Sequence, residues 1–218
     1  MDWAALRLSL ELAAWTMAVL LPVGIGLGRW LAWGRFRGKA WVEGLLALPL
    51  VLPPTVLGFY LLVALGAASP IGQWAENVFG DGFGGLLIAS VIFNLPFAIQ
   101  PMQRAFESIP ADVRDAAACC GLTRWQTLRR IELPLAWPGV LSGMVMTFAH
   151  TLGEFGVVLM VGGSIPGETR TIAIAIYDAV QSFDHAAAGV MSATLLVFSL
   201  AAMAVVYALG ARQARRHG

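Results

Sequence analysis

Residues 115–134 read DAAACCGLTRWQTLRRIELP, a charged segment that interrupts an otherwise apolar chain. Nine charged residues lie between Arg104 and Glu132. Because each Asp, Lys or Arg at mid-bilayer costs ~2.5 to 3.5 kcal/mol, inserting the whole segment into lipid would cost upwards of ~20 kcal/mol. The segment therefore lies in water or against protein.

The same segment carries the signals of two short helices. A helix is expected over 110–120, since its first residue is proline, which suits a first helical turn, and acidic residues follow where the helix dipole favours them. Gly121 fits the C-terminal cap of this helix. Thr123 and Gln126 have the capping-box spacing and predict a second helix that runs toward Pro134.

Composition places the rest of the chain in a membrane. The 218 residues are 58% hydrophobic and 12% charged, with a mean hydropathy of +0.74, which is far more apolar than a soluble domain. Five stretches are long enough to span a bilayer as helices, since about 20 residues cross its hydrocarbon core. They are 8–31, 44–68, 84–103, 133–153 and 186–210. We predict an all-α integral membrane protein in which 1–218 forms a single transmembrane domain and 104–132 is a loop.

Two local patterns refine these spans. Pro49, Pro53 and Pro54 should kink or break the second span. Gly139 and Gly143, spaced as GxxxG, predict close helix packing of the fourth span.

The basic residues predict the orientation. If 104–132 faces the cytoplasm, 12 of the 14 basic residues lie on that side: Arg29, Arg35, Arg37, Lys39, Arg104, Arg114, Arg124, Arg129, Arg130, Arg212, Arg215 and Arg216. The outer loops then carry Glu76, Asp81, Glu154, Glu168, Asp178 and Asp184. By the positive-inside rule the N-terminus is outside and the C-terminus is cytoplasmic. Cys119 and Cys120 would then lie in a reducing compartment, without metal-site spacing.

The predicted first loop helix has a small apolar stripe at Val113, Ala116, Ala117 and Cys120. From periodicity alone, this stripe either packs on the chain's own spans or accepts a close partner.

The spacing within 115–134 resembles the signature loop of the permease subunits of ABC importers. In that family the pattern is Glu-Ala-Ala, three residues, Gly, nine residues, Ile, one residue, Leu-Pro. The matching residues are Asp115, Ala116, Ala117, Gly121, Ile131, Leu133 and Pro134, with Asp in place of Glu at the first position. The resemblance implies a type I importer permease fold in which 115–121 is a coupling helix that docks on a cytoplasmic ATPase subunit.

The missing motifs agree with such a division of labour. The sequence has no G-x-x-x-x-G-K-[ST] loop to cradle a nucleotide phosphate, and His150, His185 and His217 are far apart from one another and from the cysteines. We expect no enzymatic activity and no cofactor or metal on this chain. By the resemblance, ATP and Mg²⁺ bind to the partner ATPase subunit.

A second segment, 151–177, reads TLGEFGVVLMVGGSIPGETRTIAIAIY and is too rich in Gly and Pro to be one helix. Broken backbone at membrane depth is tolerated where it is buried in protein or lines a wet cavity, which points to a pathway or gate. Its blocks 153–156 and 165–171 resemble the molybdate permeases, as does 48–62. The sulfate permeases share the first block but usually differ in the second. The candidate pathway or gate residues are Pro53, Pro54, Gly153, Glu154, Phe155, Gly156, Ser164 and Arg170.

Several of these residues have two interpretations. Glu154 is either a gate residue or an interfacial carboxylate at the end of the fourth span. Arg170 either contacts an oxyanion or pairs with Glu168. His150, one turn before Glu154, fits a structural hydrogen bond better than a proton relay.

The spans contain no cluster of Lys or Arg, so we expect a low-affinity conduit and a separate extracytoplasmic molybdate-binding protein, which the resemblance also implies. One five-helix subunit is small for enclosing a pathway, so a homodimer with the pathway on its twofold axis is expected. The setting would be the lipid bilayer of a bacterial cytoplasmic (inner) membrane, and the charge distribution suggests no nucleic-acid partner. The alternatives are a sulfate, thiosulfate or tungstate importer of the same architecture and, more distantly, an ion-coupled secondary transporter.

Overall fold

The computed structural model describes residues 1–66, 69–79 and 82–217, and every regular element in these residues is a helix. The elements are α1 Trp3–Trp33, α2 Lys39–Val51, α3 Pro54–Leu65, α4 Pro70–Phe79, α5 Phe83–Glu107, α6 Ala111–Cys119, α7 Arg124–Thr127, a π-helical turn Leu128–Glu132, α8 Leu133–Leu152, α9 Gly156–Gly162, α10 Ile172–Gln181 and α11 His185–His217. The all-α prediction is confirmed.

Within the part of the chain that the structure describes, four helical segments are long and apolar enough to cross a membrane: Trp3–Trp33, Phe83–Glu107, Arg124–Leu152 and His185–Ala204. α2 and α3 are together apolar enough to make a fifth span, and they are bent by 109° at the break between them. Residues 67 and 68, at the predicted end of the second span, lie outside the described residues, as does the predicted outer acid Asp81.

The break in the second span has a local cause. Pro53 and Pro54 have no backbone N–H, so neither can continue the helical hydrogen bonds of α2. Each also forces the residue before it toward extended backbone, and the ψ angles of Leu52 and Pro53 are 137° and 134°. Pro54 then begins α3 at a position where proline is favoured, whereas Pro49 is accommodated within α2.

Three long helices, α1, α5 and α8, pack against one another in the centre of the molecule. The GxxxG pattern lies at one of these contacts. A Cβ atom added to Gly139 would stand 2.7 Å from the carbonyl oxygen of Pro101, and one added to Gly143 would stand 2.9 Å from that of Ala98. Both distances are too short for a methyl group, so the backbones of α8 and α5 approach closely because glycine occupies these positions.

The charged groups divide between the two ends of α1. At its start, Asp2 lies 3.9 Å from Arg170, which belongs to the segment between α9 and α10. Near its other end, Arg29 forms an ion pair with Glu132 at 2.6 Å. The 104–132 loop and the 163–171 segment therefore lie at opposite ends of the helical bundle.

Candidate functional site

The first loop helix, α6, extends over Ala111–Cys119, within one residue of its predicted limits at each end. Its end is closed by Gly121, which has a φ of 73°, and the N–H of Leu122 donates to the carbonyl oxygen of Ala117 at 3.1 Å. A left-handed residue at this position is the usual glycine-based helix cap. The chain therefore turns sharply after α6.

The predicted capping box is confirmed at the start of α7. The Thr123 hydroxyl accepts a hydrogen bond from the Gln126 N–H at 3.3 Å, and the Gln126 side chain accepts one from the Thr123 N–H at 2.9 Å. The second helix does not stop near Pro134, however. It continues through the π-helical turn into α8, so Arg124–Leu152 is one apolar helix of 29 residues.

Proline accounts for this irregular junction. Pro134 has no N–H to donate to Arg130, and the N–H of Leu133 instead reaches back to the carbonyl oxygen of Leu128, a π-type bond. Ile131 and Leu133 are half-buried at this junction, and Pro134 is exposed.

The small residues of α6 do not form one continuous buried stripe. Val113 and Ala117 face the bundle, whereas Ala116 and Cys120 are exposed. Cys120 already lies beyond the end of α6, so it does not continue the face of the helix. Asp115 is exposed as well. The helix thus has an inner face that packs on this chain and an outer face of short side chains that is free in this subunit.

The broken segments come together elsewhere in the bundle, where α3 packs against α9. A Cβ atom added to Gly156 would lie 2.9 Å from Cβ of Pro54, and one added to Gly58 would lie 2.8 Å from Cβ of Met160. The structure therefore joins the predicted break at Pro53 and Pro54 to the start of α9. This contact joins two short helices, α3 and α9, into a pair that we name the α3–α9 wedge.

Glu154 is not exposed in an outer loop, because its side chain is buried inside the protein with only 3% exposed. Its Oε2 atom accepts hydrogen bonds from Ser90 Oγ at 2.9 Å and from Asn94 Nδ2 at 3.2 Å. His150 makes a structural hydrogen bond, but its partner is Asn94 and not Glu154. The helix ends at Leu152 and the chain turns inward, so the i, i+4 geometry of a continuous helix no longer applies.

Asn94 instead connects the two groups. Its Oδ1 atom lies 2.9 Å from Nδ1 of His150, whose ring stacks on Phe97 at 3.9 Å between ring centroids. Ser90 extends the network to the Thr16 hydroxyl at 3.2 Å. Through these bonds Glu154 links the α8–α9 junction to α5 and α1 inside a single subunit. Its neighbours Gly153 and Phe155 are exposed and half-buried respectively.

Arg170 pairs with Asp178 and not with the exposed Glu168. Its Nη2 and Nε atoms lie 2.8 and 3.1 Å from Asp178 Oδ2, which also accepts a hydrogen bond from Ser164 at 2.8 Å. Burial of Asp178 opposes its ionisation, but the hydrogen bonds and charge of its partners prevail and hold the pKa of this carboxyl below its usual value. Arg170 therefore forms an ion pair with Asp178, and Ser164 donates a hydrogen bond to the same carboxylate.

Two sets of functional candidates were missed from the sequence. One is Ser90 and Asn94, polar residues inside the third span that could have been noticed as isolated intramembrane hydrogen-bonding groups. The other is a partly buried ion pair between Arg29 and Glu132, which are 103 positions apart. No local pattern connects residues so distant in sequence.

Comparisons with known proteins place the chain in a family. Residues 24–216 match the family model described as "Binding-protein-dependent transport system inner membrane component". The chain is 46% identical over 211 residues to the molybdenum transport system permease protein ModB of Azotobacter vinelandii, covering 94% of this chain and 93% of that protein. It is 29% identical over 185 residues to the sulfate transport system permease protein CysT of Escherichia coli K12, covering 84% of this chain and 67% of that protein.

A solved structure supports the fold. A bacterial alginate ABC transporter, in complex with an alginate pentasaccharide-bound periplasmic protein, superposes with a TM-score of 0.75 at 17% identity, covering 96% of this chain and 78% of that one. The chain therefore belongs to the binding-protein-dependent transport system inner membrane components, the multi-pass permease subunits of ABC transporters.

Proposed function

We propose that this chain is the membrane-spanning subunit of an ATP-driven importer that carries molybdate into the cytoplasm. The observation that supports this most strongly is the 46% identity, over 94% of the chain, to a molybdenum permease. Identity to a sulfate permease is lower, at 29% over 84% of the chain. Sulfate, thiosulfate and tungstate remain the competing substrates of the same architecture.

The proposed contact with the ATPase subunit is the outer face of α6. Asp115 and Ala116 are exposed there, Ala117 anchors the inner face, and Gly121 ends the helix so that it stands as a separate element. Short side chains allow a groove of another protein to approach the helix backbone closely. ATP and Mg²⁺ would bind to that partner, which supplies the energy for transport.

The orientation follows from charge. With α6 in the cytoplasm, the Arg170–Asp178 cluster at the opposite end of the bundle faces outward, the N-terminus is outside and the C-terminus is inside. The outer end would receive a molybdate-binding protein. Support for such a partner comes from the alginate transporter, which was solved in complex with its periplasmic protein.

The proposed pathway lies between two copies of the chain. Pro53, Pro54 and Gly153 are exposed in the single subunit and are available to line it, while Gly156 holds the α3–α9 wedge together. Glu154 does not line this surface, but its hydrogen bonds would hold the α3–α9 wedge against α5. In the proposed cycle, ATP-driven closure of two ATPases moves α6 and opens the pathway to alternate sides of the membrane.

Reconstitution into vesicles tests this function. Vesicles containing the permease and its ATPase, supplied with the molybdate-binding protein, should take up molybdate only when ATP is present, and a large excess of sulfate should not compete. Omission of the binding protein provides the control. Uptake without ATP would indicate a secondary transporter, and equal competition by sulfate would indicate the broader oxyanion importer.

A further inference from the structure

A buried carboxylate joins three elements at the base of the 104–132 loop. Glu132 is 1% exposed, and both of its oxygens are engaged. Oε2 accepts a hydrogen bond from Arg29 Nε at 2.6 Å, and Oε1 accepts one from Arg29 Nη2 at 3.2 Å. This two-bond geometry fixes the end of α1 to the π-helical turn before α8.

Arg114 brings α6 to the same carboxylate. Its Nε atom lies 3.7 Å from Oε1 of Glu132, which is within ion-pair range but longer than a hydrogen bond. The guanidinium carbon lies 3.8 Å from the ring centroid of Trp33, the last residue of α1, in a cation–π contact. Arg114 is therefore held by a charge from one side and by an aromatic face from the other.

Apolar packing surrounds this charged cluster. Trp33 contacts Phe106 edge-on, with ring centroids 5.6 Å apart. Phe106 belongs to a buried group with Ile109 and Ala136, and Val113 of α6 packs against that group. The charged contacts of Arg114 and the apolar packing of Val113 thus connect α6 to α1, α5 and α8 in this one cluster.

The strengths of the contacts differ along this connection. The Arg29–Glu132 pair is short and doubly bonded, whereas the Arg114–Glu132 contact is longer and has no hydrogen bond, although the two arginines are exposed to a similar degree. A displacement of α6 would reach Glu132 through Arg114 and would then pass to α1 through the tighter pair. The π-helical turn that ends at Glu132 is an interruption of regular helix, a feature that is frequent at functional sites.

We propose that Arg114 and Glu132 are positioning residues that transmit the displacement of α6 to α1 and α8. This inference rests on the proposed function, because it concerns the coupling of ATP hydrolysis to transport. Neither residue contacts the substrate. Without the Arg114 contact, α6 still docks on the ATPase, but less of its displacement reaches the spans.

The decisive variant is Arg114→Met, which keeps the apolar stem and leaves the Arg29–Glu132 pair intact. Molybdate transported per ATP hydrolysed should fall between about 2- and 30-fold, the usual range for residues that modulate coupling between sites. Assembly with the ATPase and basal ATP hydrolysis should persist. Arg114→Lys keeps the charge and should recover most of the ratio.

Arg104→Met is the matched control. It also removes a cation near this end of the bundle, but the ion pair of Arg104 is with Glu107 within α5, and its side chain is 81% exposed. Its transport ratio should equal that of the unmodified protein. Glu132→Gln, which preserves the side-chain shape, supplies a second test and should lower the ratio as Arg114→Met does.

The outcomes separate this inference from the proposed function. If the unmodified complex transports molybdate with ATP and Arg114→Met has the same ratio, the coupling role is wrong while the function stands. If Arg114→Met lowers uptake only in proportion to a lower amount of assembled complex, the role of Arg114 is purely structural and the coupling role is likewise wrong. If the unmodified complex shows no ATP-dependent uptake of molybdate or sulfate, both proposals fail.

Discussion

The carboxyl group of Glu154, at the end of a span, points into the protein and accepts hydrogen bonds from α5. Replacing it by alanine would leave Ser90 and Asn94 without this buried acceptor. An unsatisfied buried polar group costs about 1–3 kcal/mol, so Glu154→Ala should lower the free energy of unfolding by that amount. Thermal unfolding of the detergent-solubilised protein measures the change.

Two further variants make this result specific. Glu154→Gln keeps an acceptor oxygen and should retain most of the stability. Glu168→Ala removes an exposed carboxylate from the same segment and should have little effect. Equal stability of Glu154→Ala and Glu168→Ala would refute the buried network.

At the residue scale, the sequence identified chemically notable groups but not their partners. Glu154 and Arg170 are both notable in the sequence, but the alternatives that the sequence offered for each did not include their observed partners in α5 and at Asp178. Hydrogen-bond partners depend on where the chain bends, and a short offset in sequence defines a direction only within a continuous helix. Glu154 lies beyond such a helix.

The contact between α8 and α5 offers a test at the scale of elements. Gly139→Ala would place a methyl group against the backbone of Pro101 and the side chain of Ala105. Since overpacking costs about 1–3 kcal/mol, this variant should unfold at a lower temperature. Gly26→Ala in α1 is the matched control, because a Cβ atom there would meet nothing within 4 Å.

The control should change stability in the opposite direction. Alanine is favoured over glycine inside a helix by up to ~1 kcal/mol, so Gly26→Ala should be neutral or slightly stabilising. If both glycine variants had the same unfolding temperature, the close approach of α8 and α5 would be wrong.

Elements governed by local chemistry were predicted well. The capping box at Thr123, the glycine cap at Gly121 and the break at Pro53 and Pro54 each depend on residues adjacent in sequence. The continuation of the second loop helix into α8 was not predicted, because Pro134 suggested an end. The structure instead accommodates this proline with a π-helical turn, next to a partly buried ion pair that only the tertiary fold provides.

The whole molecule separates two surfaces along the length of α1. At one end the Arg170–Asp178 pair closes the segment between α9 and α10, and at the other α6 rests on the Arg29–Glu132 cluster. The sequence predicted this separation from the distribution of basic residues, which is a property of the chain as a whole. It did not predict how the ends are connected, because that depends on packing between α1, α5 and α8.

The proposed ATPase contact can be tested at this scale by comparing the two ends of the molecule. Ala116→Trp adds a large side chain to the exposed face of α6. If this face fits a groove, overpacking of about 1–3 kcal/mol should weaken ATPase binding roughly 5- to 150-fold, measured by co-purification in detergent. Ala186→Trp makes the same change at an exposed alanine near the start of α11, at the opposite end, and should leave co-purification unchanged.

Both variants should insert into the membrane in normal amounts, because neither position is buried. Undiminished ATPase binding by Ala116→Trp would exclude this face of α6 as the docking surface, whereas loss of binding by both variants would indicate a general defect of assembly.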